Sequence, residues 1–88
     1  MPTSQARKCR GLAEKAFELT KELLPAEKSE VIRAYIYDHN EWGLGVEMLV
    51  DVLLEDDIAV SADQKGAIEC AMSEMGLDRS QSLLRVAG

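Results

Sequence analysis

One histidine, His39, and two cysteines, Cys9 and Cys70, are all this chain has in the way of soft metal ligands. A lone histidine cannot build a His-rich metal site, and neither a Glu-x-x-His nor a His-x-x-x-His pair occurs. The cysteines lack Cys-x-x-Cys spacing and histidine neighbours, and two are too few for a disulfide framework. They read as small buried apolar residues in a reducing compartment, with one disulfide as the alternative. No segment approaches the run of about 18 apolar residues that a membrane span needs. Residues 1–8 carry no apolar stretch, so no leader peptide is expected and the cytoplasm is the expected compartment. Glycine-rich phosphate loops are missing too: Gly43-Leu44-Gly45 is short and set among acids that repel phosphate.

The most telling absence is of basic residues. No Lys or Arg lies between Arg33 and Lys65, a span that carries eight carboxylates. These are Asp38, Glu41, Glu47, Asp51, Glu55, Asp56, Asp57 and Asp63. The net charge of −6 is therefore a central block of acid. It argues against nucleic acid or an anionic membrane as a direct ligand. The acids do not follow calcium-loop spacing and lack its central glycine.

What is present describes one folded domain spanning residues 1–88. Hydrophobic residues make up 47% and charged residues 30%, the balance of a globular chain. A chain of this length buries one modest core, and a deep enzyme pocket would compete with it for volume.

Periodicity predicts helices throughout. Thr3 or Ser4 caps a first helix running to about Leu24, with Cys9, Leu12, Ala13, Ala16, Phe17, Thr20, Leu23 and Leu24 on one face. Gly11 inside it suggests close approach of another helix, and Pro25 ends it. A second helix runs from Ala26 to Asp38, with Val31, Ile32, Tyr35 and Ile36 buried and Tyr37 pointing outward. Strand propensity in Val31–Tyr37 yields to helix because no partner strand is visible. Asn40 is the expected N-cap of a third helix that buries Trp42, Val46, Leu49, Val50 and Leu53. Gly43 and Gly45 suit that helix if a neighbour needs room there. Ser61 and Gln64 fit a capping box opening a fourth helix, with Ala67, Ile68, Ala71, Met72 and Met75 inward. Gly76-Leu77 reads as its left-handed stop. Asp78 or Ser80 caps a short last helix carrying Leu83, Leu84 and Val86. The expected fold is all-α, a compact bundle of four helices plus a short C-terminal helix.

Catalytic sets do not emerge. Ser61 is explained as a cap, and Ser4, Ser29, Ser73, Ser80 and Ser82 have no base nearby in sequence. His39 reads as a cap or surface residue at a helix junction. No enzyme activity, cofactor or metal is expected. The acid block asks for another explanation. Glu47, Asp51 and Glu55 recur at i, i+4, i+8, where like charges destabilise a helix by a few tenths of a kcal/mol per pair. A partner surface accounts for that repulsion and for the only Trp beside it.

The stretch Asp38-His39-Asn40-Glu41-Trp42-Gly43-Leu44-Gly45-Val46-Glu47-Met48-Leu49, continued by residues 51–61, resembles the MafI family of immunity proteins. The shared pattern is His/Asn-Glu, an aromatic, Gly-Leu, a small residue, then Glu and Leu, ending in an acidic turn with Ile. Trp42 stands where Tyr is more frequent, and Gly45 where Ala is usual. Met75-Gly76-Leu77-Asp78 fits as well. The resemblance implies an inhibitor that binds the C-terminal domain of a cognate polymorphic toxin one-to-one, the toxin being a nuclease or nucleobase deaminase with a basic cleft. Glu41, Glu47, Asp51, Glu55, Asp56, Asp57 and Asp63 are the candidate contacts. The other reading is a small acidic adaptor or regulatory subunit that binds a basic protein without inhibiting it.

Overall fold

Residues 4–77 and 84–87 are described by a computed structural model of the chain. Four helices form an all-α bundle: α1 (Ser4–Thr20), α2 (Ala26–Arg33), α3 (Trp42–Glu55) and α4 (Ala62–Glu74). A 3-10 turn, Lys21–Leu23, follows α1, and a π-helical segment, Ala34–Asp38, continues α2. The α1 helix packs along α4 and α3, and α2 closes over α3.

Pro25 decides how α1 stops. Leu24, the residue before it, is pushed to φ −91°, ψ 146°, so the α-helix ends at Thr20 and tightens through a 3-10 turn. Thr20 is fully buried, and its hydroxyl donates back to the Ala16 carbonyl at 2.7 Å. The expected cap Thr3 lies outside the described residues, and Ser4 is already helical.

Three expectations are corrected at and beside the π segment. His39 N–H donates to the Ala34 carbonyl, and Glu41 N–H to the Tyr35 carbonyl at 2.8 Å. Asn40, between them, sits in the left-handed region at φ 53°. It therefore terminates α2 and does not cap α3, a role suited to Asn because it tolerates that conformation. The N-cap of α3 is Glu41, whose side chain makes no capping bond. The wider π turn also changes the face presented after Arg33. Tyr37, expected outward, packs on the core and meets Phe17 edge-on, with ring centroids 6.2 Å apart. Val31, expected inward, is 45% exposed.

The same junction explains Gly45. A Cβ there would stand 2.6 Å from Cγ1 of Ile36, so α3 and the π segment touch through glycine's missing side chain. Among the described residues, nothing lies within 4 Å of the Cβ position of Gly11, and none of the described helices accounts for it by close approach.

Two helix ends share one device. At α4, Gly76 (φ 65°) donates to the Ser73 carbonyl and Leu77 to that of Met72, a Schellman motif at the expected place. At α3, Asp57 (φ 51°) donates to Leu54 and Ile58 to Leu53, the same motif with aspartate where glycine is usual. The α4 capping box is complete: Gln64 N–H donates to Ser61 Oγ at 3.0 Å, and Ser61 N–H to Gln64 Oε1 at 2.7 Å. Gln64 Nε2 also donates to the Leu19 carbonyl, tying the start of α4 to α1.

The core joins Phe17, Ile32, Ile36, Val46, Leu49, Val50, Leu53, Ile68 and Met72, all nearly or fully buried. Each such side chain contributes about 1.5–3 kcal/mol by leaving water. Trp42 packs against this cluster, half-buried, with Nε1 shielded from solvent and without an acceptor among the described residues. Both cysteines are free, Cys9 buried and Cys70 exposed on α4, contrary to the expectation that both are inside. Residues 78–83, where the last helix was expected to start, lie outside the described residues. Leu84 and Val86 are not helical: Leu84 is buried, and Val86 forms a parallel bridge with Val60. Val60 N–H donates to the Arg85 carbonyl and Ala87 N–H to that of Val60, both at 2.8 Å.

Candidate partner-binding surface

The α3 helix is amphipathic by construction. Val46, Leu49, Val50 and Leu53 point into the core, so Glu47, Asp51 and Glu55 must project from the opposite side, and all three are exposed. They span about 12 Å along the helix axis. None has an ion-pair partner among the described residues. Leu44, 42% exposed, lies two turns before Asp51 and so shares this face.

The remaining acids of the block are placed differently. Folding brings bases to three of them, two from distant parts of the chain and one, Arg33, from the preceding helix. Lys28 Nζ stands 3.4 Å from Asp56, Arg85 Nη1 3.4 Å from Asp57, and Arg33 Nη2 3.5 Å from Asp38. Arg85 also donates to the Asp57 carbonyl at 2.9 Å, pinning the C-terminal segment to the α3–α4 turn. Glu41 is exposed at the α2–α3 junction. Asp63 occupies the first turn of α4, where its carboxylate favours the positive end of the helix dipole. It lines a groove between α1 and α4 together with Lys15, Leu19 and Gly66. The seven candidate residues thus separate into a helix face, a paired turn, a junction and a second groove.

A feature absent from the sequence reading adjoins the α3 face. Between α2 and α3 runs an open groove of about 480 Å3, floored by Val31, Ile32, Met48 and Val52. Glu27 and Glu55 stand at its edge with Lys28. Helical spacing puts Met48 one turn after Leu44, and that spacing was the available signal for an apolar border to the acidic face. Exposure of Val31 had no such signal, because it follows from the packing of α2.

The largest titration effect, at Tyr37, lies elsewhere and is structural. Lys21 donates to Glu18 at 2.8 Å and Tyr37 OH donates to it at 3.0 Å. The Lys21 bond, then the Tyr37 bond, hold the Glu18 carboxyl below the usual range. Burial, then the bond to Glu18, push the Tyr37 phenol up to about 12. This link fastens α1 to the π segment. His39 is exposed, its ring edge-on to Tyr35 at 5.9 Å. No three potential metal ligands converge among the described residues, and no helix there is long and apolar enough to cross a membrane. Comparison of the chain with family models, curated proteins and solved structures found no match.

Proposed function

We propose that this protein binds and neutralises a toxin domain by laying the outer face of α3 against a basic surface, in the manner of an immunity protein. The observation that carries the reading is the row Glu47, Asp51, Glu55, exposed and without ion-pair partners among the described residues, although the fold supplies bases to Asp38, Asp56 and Asp57. Three like charges in line repel one another and weaken the helix that bears them. A basic partner converts that repulsion into attraction. Toxins that act on nucleic acids carry basic clefts, and an acidic face is complementary to them. Complementary charge also raises the association rate, which matters when few free toxin molecules suffice to kill. The sequence resemblance to MafI immunity proteins points the same way.

The test is co-expression with candidate toxin domains encoded by the neighbouring open reading frames, followed by titration of the purified pair. Growth should be rescued, and one equivalent should silence about one equivalent of toxin. Absence of rescue, or inhibition at strongly substoichiometric amounts, would overturn the reading.

A further inference from the structure

We propose that the α2–α3 groove receives an apolar side chain of a protein partner, carried on a segment with Lys or Arg on either side of it. The inference rests on reading the outer face of α3 as the partner-binding side. It adds what that partner must present there.

The groove floor is apolar. Val31 is 45% exposed on α2, while Ile32 and Val52 lie deeper and Met48 is half-buried. Methionine's flexible thioether lets such a floor adapt to the shape of what enters. The charges beside the floor are mainly acidic. Glu27 and Glu55 border it, and Asp51 stands one turn from Glu55 on α3. Neither Glu27 nor Glu55 has an ion-pair partner among the described residues. Lys28, the groove's own base, is engaged with Asp56 at 3.4 Å. That exposed pair holds little energy and yields readily to a competitor.

An apolar floor with acidic edges has one chemical complement: a hydrophobic side chain flanked by cations. An acidic segment or an anionic lipid surface would meet Glu27, Glu55 and Asp51 with like charge. The α1–α4 groove makes the contrast, since it sets Lys15 beside Asp63 and so favours neither sign. A partner segment that seats an apolar anchor and pairs its bases with Glu27 and Glu55 uses the groove and the α3 face together. That is the arrangement of an interface hot spot, a desolvated anchor within a charged rim.

The experiment uses synthetic helical peptides and the isotope-labelled full chain, with no toxin present. The probe carries a leucine pair one turn apart, flanked by lysines. Two control peptides replace the leucines by alanine or the lysines by glutamate. Amide shifts should move saturably at Val31, Met48, Val52 and Glu55 with the leucine–lysine peptide alone. Val31→Asn, which adds no charge, should weaken binding roughly tenfold, the worth of one buried apolar side chain. Val86→Asp, a change at an exposed residue on the C-terminal segment, should leave it unaltered. Should Val31→Asn lose helical signal, Val31→Ser serves in its place. Shifts confined to the α1–α4 groove, equal binding of the alanine peptide, or no binding at millimolar peptide would overturn the proposal. Peptide binding without growth protection would retain the groove and reject the inhibitor reading. Protection without peptide binding would do the reverse.

Discussion

Gly45 and Gly11 sit inside helices three residues or more from any end, yet folding gives them opposite meanings. Alanine at 45 would drive a methyl to 2.6 Å from Ile36 Cγ1, and the tightly packed junction must shift to admit it. Gly45→Ala should destabilise by about 1–3 kcal/mol, the usual magnitude of overpacking. Gly11→Ala meets open space among the described residues and should stabilise by about 1 kcal/mol through helix propensity alone. Chemical denaturation of the two variants reads both signs, and two changes of the same sign would contradict the geometry. Asp57 offers a third residue-level test. Its left-handed φ of 51° at the end of α3 suits glycine better than an L side chain. Its exposed pairing with Arg85 is worth at most about 1 kcal/mol, and the bond from Arg85 to its carbonyl survives a side-chain change. Asp57→Gly should hold or raise the melting temperature, and a clear fall would show that the ion pair outweighs the backbone strain.

At the scale of elements, two polar links decide how the helices meet. Ser61 and Gln64 satisfy each other's backbone N–H groups, and Gln64 reaches on to the carbonyl of Leu19. Ser61→Ala should lower stability by about 1 kcal/mol. Gln64→Ala should lower it further, because it also releases α4 from α1. Equal losses in denaturant would mean the bond to Leu19 contributes nothing. The second link joins α1 to the π segment through Tyr37 and Glu18. Tyr37 titrates at about 12 in the folded chain, above its ordinary value of 10.0, because folding favours the neutral phenol. A raised acid pKa contributes stability that is whole below the unfolded value and is lost as pH climbs through the folded one. Stability should therefore decline between about pH 10 and 12, and Tyr37→Phe should flatten that decline. Unfolding curves across the alkaline range check it, and an equally steep decline in the variant would assign the loss to other groups.

For the whole molecule, the separation of charge is what matters. The fold gathers Lys28, Arg33 and Arg85 around Asp56, Asp38 and Asp57, but none of the described residues forms an ion pair with Glu47, Asp51 or Glu55 on the outer face of α3. Asp51→Lys with Glu55→Lys should hold or slightly raise stability by relieving i, i+4 repulsion. The same double change should slow association with a basic partner and weaken the complex. Added salt should slow the unmodified protein's association as well, by screening charges beyond roughly 8–10 Å. A folded double variant that associates at the original rate with unchanged salt dependence would remove this face from the interface.

The helical class, the break at Pro25, the capping box at Ser61, the stop at Gly76 and the acidic outer face of α3 are all legible along the chain. Each is a local or periodic signal: a missing N–H, a side chain three residues from its acceptor, a residue free to adopt positive φ, a spacing of four. The rest follows from how the helices pack. The π turn that brings Tyr37 inward and leaves Asn40 as a helix stop depends on how α2 meets α3. The pairing of Asp56 and Asp57 joins residues far apart in the chain, which no periodicity encodes. Val31 is exposed, and the groove beneath it exists, because two helices lie side by side with a gap between them. A gap belongs to the packing of both helices, and neither sequence segment carries it alone.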